Sequence, residues 1–457
     1  MLHRNSFNQL LNWHASERRK PLVLRGARQV GKSTLVVAAA AKLKRPLITI
    51  NCEKNLFLDS VFKTLDIPAI LSELEAVANQ GAINASTILF LDEIQTTPHA
   101  LQALRYFHEE RPDLAVIAAG SLLEFTLSDH QFSMPVGRIQ YLHLGPMTFR
   151  EFAEAIAPGL LPYLEQVDPA RPLPKAAHQK LNALQRTYLF VGGMPEAVQV
   201  YQKTSSLSEV SDVHREIVDT YIDDFSKYTQ GKDLALLQRV FSSIPRMLGQ
   251  KVKYVALAKG ERAATVRAMI ELLTKAQIVI PVWHSHCSGI PLGADIDDTV
   301  FKLIFLDVGL ANTLCGLSWQ ELSGRDDMTL INEGGIAEQY VGQELAWLDH
   351  RKPQLTYWQR EGRSANAEVD YTTAAGSTIV PVEVKAGRSG TLKSIHQFVL
   401  KKKLALAIRF DTNQASSQSV TQRARTKDGS QEITFDILSL PLYAVAELPR
   451  LLTTATK

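Results

Sequence analysis

Apolar residues in the first third of this 457-residue chain follow two rhythms. Short continuous apolar runs at residues 21–24, 46–51, 87–91 and 114–119 read as strands buried on both faces. Between them, residues 34–43, the stretch reaching to about 80, and residues 100–110 repeat at helical spacing. Strands alternating with helices predict an α/β fold built on a mostly parallel sheet. A short amphipathic helix over 7–13 leads into the first strand, and an alternating run over 141–144, closed by Gly145-Pro146, supplies the last.

Beyond residue 150 the rhythm turns helical. Pro158, Pro162, Pro169, Pro172 and Pro174 interrupt it and predict an irregular loop. Residues 234–248, 254–259 and 263–275 then predict helix, short helix, helix, followed by an apolar strand over 278–283, which is the order of a winged helix. The corner Lys259-Gly260-Glu261-Arg262 would let the third helix present Thr265, Arg267 and Lys275 to DNA, although so few basic residues suit packing against its own chain as well. Residues 299–310 predict a further strand and turn, 336–347 a helix, and two strands joined by Ala375-Gly376-Ser377 a hairpin.

Candidate chemistry begins directly behind the first strand. Gly26, Ala27, Arg28, Gln29, Val30, Gly31, Lys32, Ser33 and Thr34 contain a complete G-x-x-x-x-G-K-S pattern that opens a helix. Glycines let successive backbone N–H groups face an anion, and the helix N-terminus adds its dipole. Lys32 is placed to reach the β- and γ-phosphates of ATP, and Ser33 to ligate Mg²⁺. The run ending in Asp92-Glu93 is the strand expected beside such a loop, with Asp92 in the Mg²⁺ shell and Glu93 polarising the attacking water; capping of the next helix is the plainer role for either carboxylate.

Ser121 ends the strand over 114–119, and Arg138, within Val136-Gly137-Arg138-Ile139, precedes the last strand. This succession resembles the AAA superfamily of ATPases. The resemblance implies that Ser121 is the residue called sensor 1 and that Arg138 is an arginine finger reaching the γ-phosphate of a neighbouring subunit, hence a homo-oligomer. With Phe149-Arg150-Glu151-Phe152 and Gly192-Gly193-Met194-Pro195-Glu196-Ala197, the chain looks like the bacterial and archaeal AAA-type ATPases whose C-terminal domain of unknown function is related in motif to restriction endonucleases. It departs from many AAA proteins in reading Met-Pro-Glu where a second sensing arginine stands on a lid helix.

The C-terminal segment carries a second constellation: Glu338 on a helix, Asp370 in the first hairpin strand, and Glu383 with Lys385 on one face of the second. This matches the D-(x)n-E-x-K signature of restriction-endonuclease-like folds. Asp370 and Glu383, with Glu338, would hold one or two Mg²⁺ ions at a scissile phosphate, and Lys385 would orient water. A salt-bridged surface hairpin is the plainer account.

Composition changes this picture little. A net charge of +3 and a pI near 8.6 permit contact with nucleic acid without requiring it. Cys52, Cys287 and Cys315 form no metal-binding pair and suit a reduced, cytoplasmic protein. The start lacks a signal-peptide pattern, and no run approaches the roughly 20 apolar residues that span a bilayer. The expected organisation is an ATPase domain over 1–155, a helical lid and connector over 156–232, a winged-helix-like domain over 233–330 and a restriction-endonuclease-like domain over 331–457. The expected function is a Mg²⁺-dependent ATPase coupled to a nuclease-like domain that engages DNA. The alternative is an ATP-driven remodeller or switch of protein partners with a non-catalytic C-terminal docking domain.

Overall fold

The alternating pattern at the start of the chain folds into a five-stranded parallel sheet. A computed structural model describes residues 2–121, 123, 137–317, 333–361, 367–387, 392–426 and 429–455. In chain order the strands are β1 (Leu22–Arg25), β2 (Leu47–Asn51), β3 (Ile88–Asp92), β4 (Ala115–Ala119) and β5 (Gln140–His143), and in space they lie β2-β3-β4-β1-β5. Every neighbouring pair is parallel, so all five carboxyl ends share one edge. The period of two decides sidedness: Val23, Ile48, Ile50, Leu89, Leu91, Val116 and Ala118 enter one core with Phe62, Ile70, Leu74, Leu104 and Phe107. Each large side chain so buried contributes about 1.5–3 kcal/mol relative to exposure. The helix Lys32–Leu43 packs on β3 and β4, burying Leu35, Val36, Ala39 and Ala40.

This unit comprises Met1–Pro146 with Lys275–Ile278 and Asp349–Lys352; the remainder forms a second unit. The second unit opens with helices, among them Phe149–Ile156, whose Thr148 and Glu151 form a reciprocal capping box, and Lys175–Val191, Pro195–Thr204 and Leu207–Asp224. Of the segment expected as an irregular loop, Leu161–Glu165 is helical, because Pro162 falls in the first turn, where no N–H is needed.

An eight-stranded mixed sheet follows. Its strands are β6 (Val279–Ser285), β7 (Ile296–Phe305), β8 (Leu355–Gln359), β9 (Glu368–Ala375), β10 (Thr378–Val384), β11 (Leu406–Asp411), β12 (Ser416–Thr426) and β13 (Gly429–Pro441), in the order β12-β13-β11-β10-β9-β8-β6-β7. The helices Tyr254–Leu257 and Ala263–Lys275 form as expected, but the hairpin behind them is no free-standing wing. β6 bonds β7 on one side and, in parallel, β8 on the other, because its apolar residues need cover on both faces and along both edges. The boundary expected at 330/331 lies outside the described residues. On the third helix Arg267 pairs with Glu271 at 3.2 Å.

The turn expected near residue 310 is instead a helix start. Asp307 caps Val308–Leu314 by accepting from the N–H groups of Gly309 and Leu310 at 2.9 and 3.1 Å. The same carboxylate accepts from Gly193 N–H at 2.6 Å and from Gln343 Nε2 at 3.2 Å. This explains Gly192-Gly193: a Cβ on Gly192 would stand 2.1 Å from Asp307 Oδ1, and one on Gly193 2.0 Å from the Met147 carbonyl oxygen. The pair lets the chain wrap a fully buried carboxylate.

Asp307→Ala should therefore strand several buried N–H groups at once. We expect it to lower the unfolding free energy of this unit by about 3 kcal/mol or more, read as a shifted urea midpoint. A shift under about 0.5 kcal/mol would refute this role for Asp307.

Candidate functional site

The shared edge of the parallel sheet gathers the residues singled out near the N-terminus. Behind β1 the chain turns through Gln29 and Gly31, at φ +62° and +94°, and enters the helix Lys32–Leu43. Gly26 must lack a side chain, since a Cβ there would lie 2.2 Å from the Leu144 carbonyl oxygen. Arg4 fixes the loop from behind: its buried guanidinium donates to the Val30 carbonyl at 2.8 Å and to that of Gly145 at 2.7 Å. No local pattern marks Arg4, which stands 26 residues from its partner Val30.

Lys32 Nζ donates to the loop's own carbonyls, Gly26 O at 2.9 Å and Ala27 O at 2.8 Å. Loss of water around this ammonium lowers its pKa to about 8, against the opposing pull of Glu93 and Asp92. Ser33 Oγ donates to Asp92 Oδ2 at 2.9 Å, so the hydroxyl and carboxylate expected to share a cation already meet. Desolvation raises the Asp92 pKa, with the Ser33 hydroxyl opposing. Hard oxygen donors of this kind suit Mg²⁺.

Glu93 sits just past β3 in the left-handed region, at φ +53°. Gln95 Nε2 donates to its Oε2 at 2.6 Å, and Thr96 Oγ1 to its carbonyl at 2.8 Å. Gln95 was not legible as a site residue; its amide oxygen lies 2.1 Å from where a Gly120 Cβ would stand, so Gly120 makes the room it occupies. Ser121 is buried just past β4, and its Oγ has no hydrogen-bond partner among the described residues. Arg138 is half exposed ahead of β5, with Nε on Glu109 Oε1 at 2.9 Å; Val136 beside it lies outside the described residues.

The C-terminal constellation assembles around a residue the motif does not contain. Lys302 on β7 is 2% exposed, and its Nζ reaches Glu338 Oε1 at 2.7 Å, Glu368 Oε1 at 2.5 Å and Asp370 Oδ1 at 4.0 Å. The side chain passes the Tyr357 ring, 5.1 Å from its centroid. Asp370 Oδ2 accepts from the Val384 N–H at 2.7 Å, and Lys385 Nζ bonds Glu383 Oε1. Burial pushes Glu338 and Glu383 each up to about 7, while the surrounding carboxylates hold Lys302 well above its usual value despite burial. Among the described residues, the group of three His, Cys, Asp or Glu side chains at metal-binding separation is not this one but His284, His286 and Glu361. Of the carboxylates expected to hold Mg²⁺, Glu338 and Asp370 thus flank the Lys302 ammonium, and Glu383 pairs with Lys385.

Comparison with known proteins follows this division. Residues 18–153 match a family model described as an AAA domain, 182–321 a domain of unknown function (DUF8612), and 333–442 another (DUF4143). The N-terminal unit thus carries an AAA-type P-loop ATPase domain, and a DUF4143 domain stands at the C-terminal side. Curated proteins give no match. Solved structures similar to the chain include Thermotoga maritima RuvB, titled a Holliday junction branch migration motor, at 19% identity and TM-score 0.29, covering 65% of this chain and 93% of that one. Another is C. elegans PCH-2, at 12% identity and TM-score 0.29, covering 45% of this chain and 65% of that one. No described helix is long and apolar enough to cross a membrane.

The Lys32 environment sets a pH dependence. A triphosphate on this loop would hold the ammonium charged, so above pH 8 binding must take up a proton. Affinity should be flat below about pH 8 and fall toward tenfold per unit above it, measured by calorimetry from pH 7 to 9.5. Constant affinity through pH 9.5 would disprove the assignment of Lys32 as the phosphate-binding cation.

Proposed function

We propose that the N-terminal unit binds ATP with Mg²⁺ and hydrolyses it at Lys32, Ser33, Asp92 and Glu93. The observation that carries this reading is Lys32 resting on the carbonyls of its own loop beside the Ser33–Asp92 pair. An ammonium satisfied only by neutral carbonyls gains most from an incoming polyanion. The loop N–H groups from Gly26 to Thr34 would cradle the phosphates, and Lys32 would turn from carbonyl oxygen to phosphate oxygen. Ser33 and Asp92 would hold Mg²⁺, which when bound neutralises charge on the β- and γ-phosphates. Glu93, oriented by Gln95, accepts the proton of the attacking water, and Ser121 offers its free hydroxyl at the same sheet edge.

Glu93→Gln should keep ATP bound and lower turnover at least a hundredfold, since general-base assistance contributes about 10²–10⁴. Single-turnover hydrolysis at the wild-type rate would sink that role. Arg138, exposed and paired with Glu109 among the described residues, is the residue we assign as an arginine finger acting on a neighbouring subunit. Adding Lys32→Ala subunits to Arg138→Ala subunits should then partly restore turnover.

For the C-terminal domain, Lys302 favours the non-cleaving reading over the nuclease. Its ammonium, 2.7 Å from Glu338 Oε1, 2.5 Å from Glu368 Oε1 and 4.0 Å from Asp370 Oδ1, neutralises part of their charge and stands among the carboxylates where a catalytic metal ion would have to sit. The domain is then a docking module for a partner, protein or DNA, whose engagement the ATPase unit governs. DNA incubated with the full chain and Mg²⁺ or Mn²⁺ should stay intact. Lys302→Met should cost about 3–5 kcal/mol of stability, because it strands buried carboxylates. Nicking that needs the metal and vanishes in Asp370→Ala would restore the nuclease.

A further inference from the structure

One cluster of ligating side chains has no part in either site. His284, in β6, and His286, just beyond its end, are two residues apart and so fall on one side of the chain, with ring centroids 5.0 Å apart. β8, the parallel neighbour of β6, leads into Glu361, whose Oε1 lies 2.5 Å from His286 Nδ1. One ligand atom from each of the three residues falls within 4.8 Å of the other two.

His284 is what makes this more than a surface ion pair. It is 1% exposed, and its ring meets the Gln359 backbone in no more than a loose hydrogen bond, so at least one ring nitrogen has no partner among the described residues. The hydroxyl of Tyr357, the residue paired with His284 across β6 and β8, is buried with no hydrogen-bond partner among the described residues, the two rings standing 5.7 Å apart. Burial lowers the His284 pKa, reinforced by His286 and opposed by the Gln359 backbone, Glu361 and Asp297. An imidazole nitrogen bearing its lone pair is the form that binds a metal. Leaving an imidazole nitrogen and a phenol unsatisfied in one buried place is costly, and a cation on the open side would relieve part of that cost.

We propose that His284, His286 and Glu361 bind a zinc-class divalent cation. Two imidazoles and a carboxylate suit Zn²⁺, Co²⁺ or Ni²⁺ far better than Mg²⁺, and three protein ligands leave a fourth position for solvent. The ion would clip the end of β6 to the segment after β8, and it is independent of the Mg²⁺ that accompanies ATP.

The test uses the full chain, stripped with EDTA and held in excess Mg²⁺, then titrated with Zn²⁺ and in parallel with Co²⁺ as a spectroscopic probe. We expect a single zinc ion retained through gel filtration, a visible Co²⁺ absorption typical of low coordination number, and a raised Tm. His286→Ala and Glu361→Gln, both at partly exposed side chains, should weaken binding about tenfold or more and abolish the Tm rise, while leaving ATP binding and circular dichroism at wild-type values. Zinc retention that survives His286→Ala, or no retention by the wild type, overturns the proposal.

Discussion

A lysine ammonium withdrawn from water must find oxygen atoms, and this requirement organises both units. Among the described residues Lys32 bonds to the carbonyls of its own loop, and burial lowers its pKa. Lys302 finds carboxylates on a helix and on β9, and its pKa rises. The same side chain is thus left short of negative charge in one place and saturated with it in the other. Dipoles of neutral carbonyls give way readily to a charged ligand, whereas a buried ion pair must be dismantled before anything else can enter.

Geometry around each lysine follows from how its sheet is strung. In the N-terminal unit, parallel pairing alone brings the ends of β1, β3 and β4 to one edge, so residues as distant in sequence as Ser33 and Asp92 meet without a dedicated scaffold. In the second unit the mixed sheet sends Lys302 from its edge strand past Tyr357 toward β9. A neighbour reached in that way leaves no spacing in the sequence to betray it.

This contrast sets what could be read in advance. The phosphate loop was legible because one contiguous stretch supplies strand, turn, cation and helix start, and Asp92-Glu93 because an apolar run seldom ends in two carboxylates. Arg4 and Gln95 were not, since their partners are chosen by tertiary contact. Lys302 did leave a trace: a lone lysine within Phe301-Lys302-Leu303-Ile304-Phe305 is a charge in an otherwise apolar strand and needs a buried counter-charge somewhere. The hairpin over β6 and β7 shows the opposite limit. Local pattern supplied its strands correctly, but pairing with β8 depends on residues more than seventy positions further on.

That late pairing bears on how the chain is made. A ribosome releases β6 and β7 well before β8 exists, so the inner edge of β6 leaves the exit tunnel with its N–H and C=O groups unclaimed. The N-terminal unit has the same debt on a smaller scale, since the His143 N–H bonds the carbonyl of His350. Neither unit can close its hydrogen bonding until the chain has passed residue 350. The interval between is the stage of biosynthesis at which strand edges are open to wrong partners, and at which a chaperone would matter most.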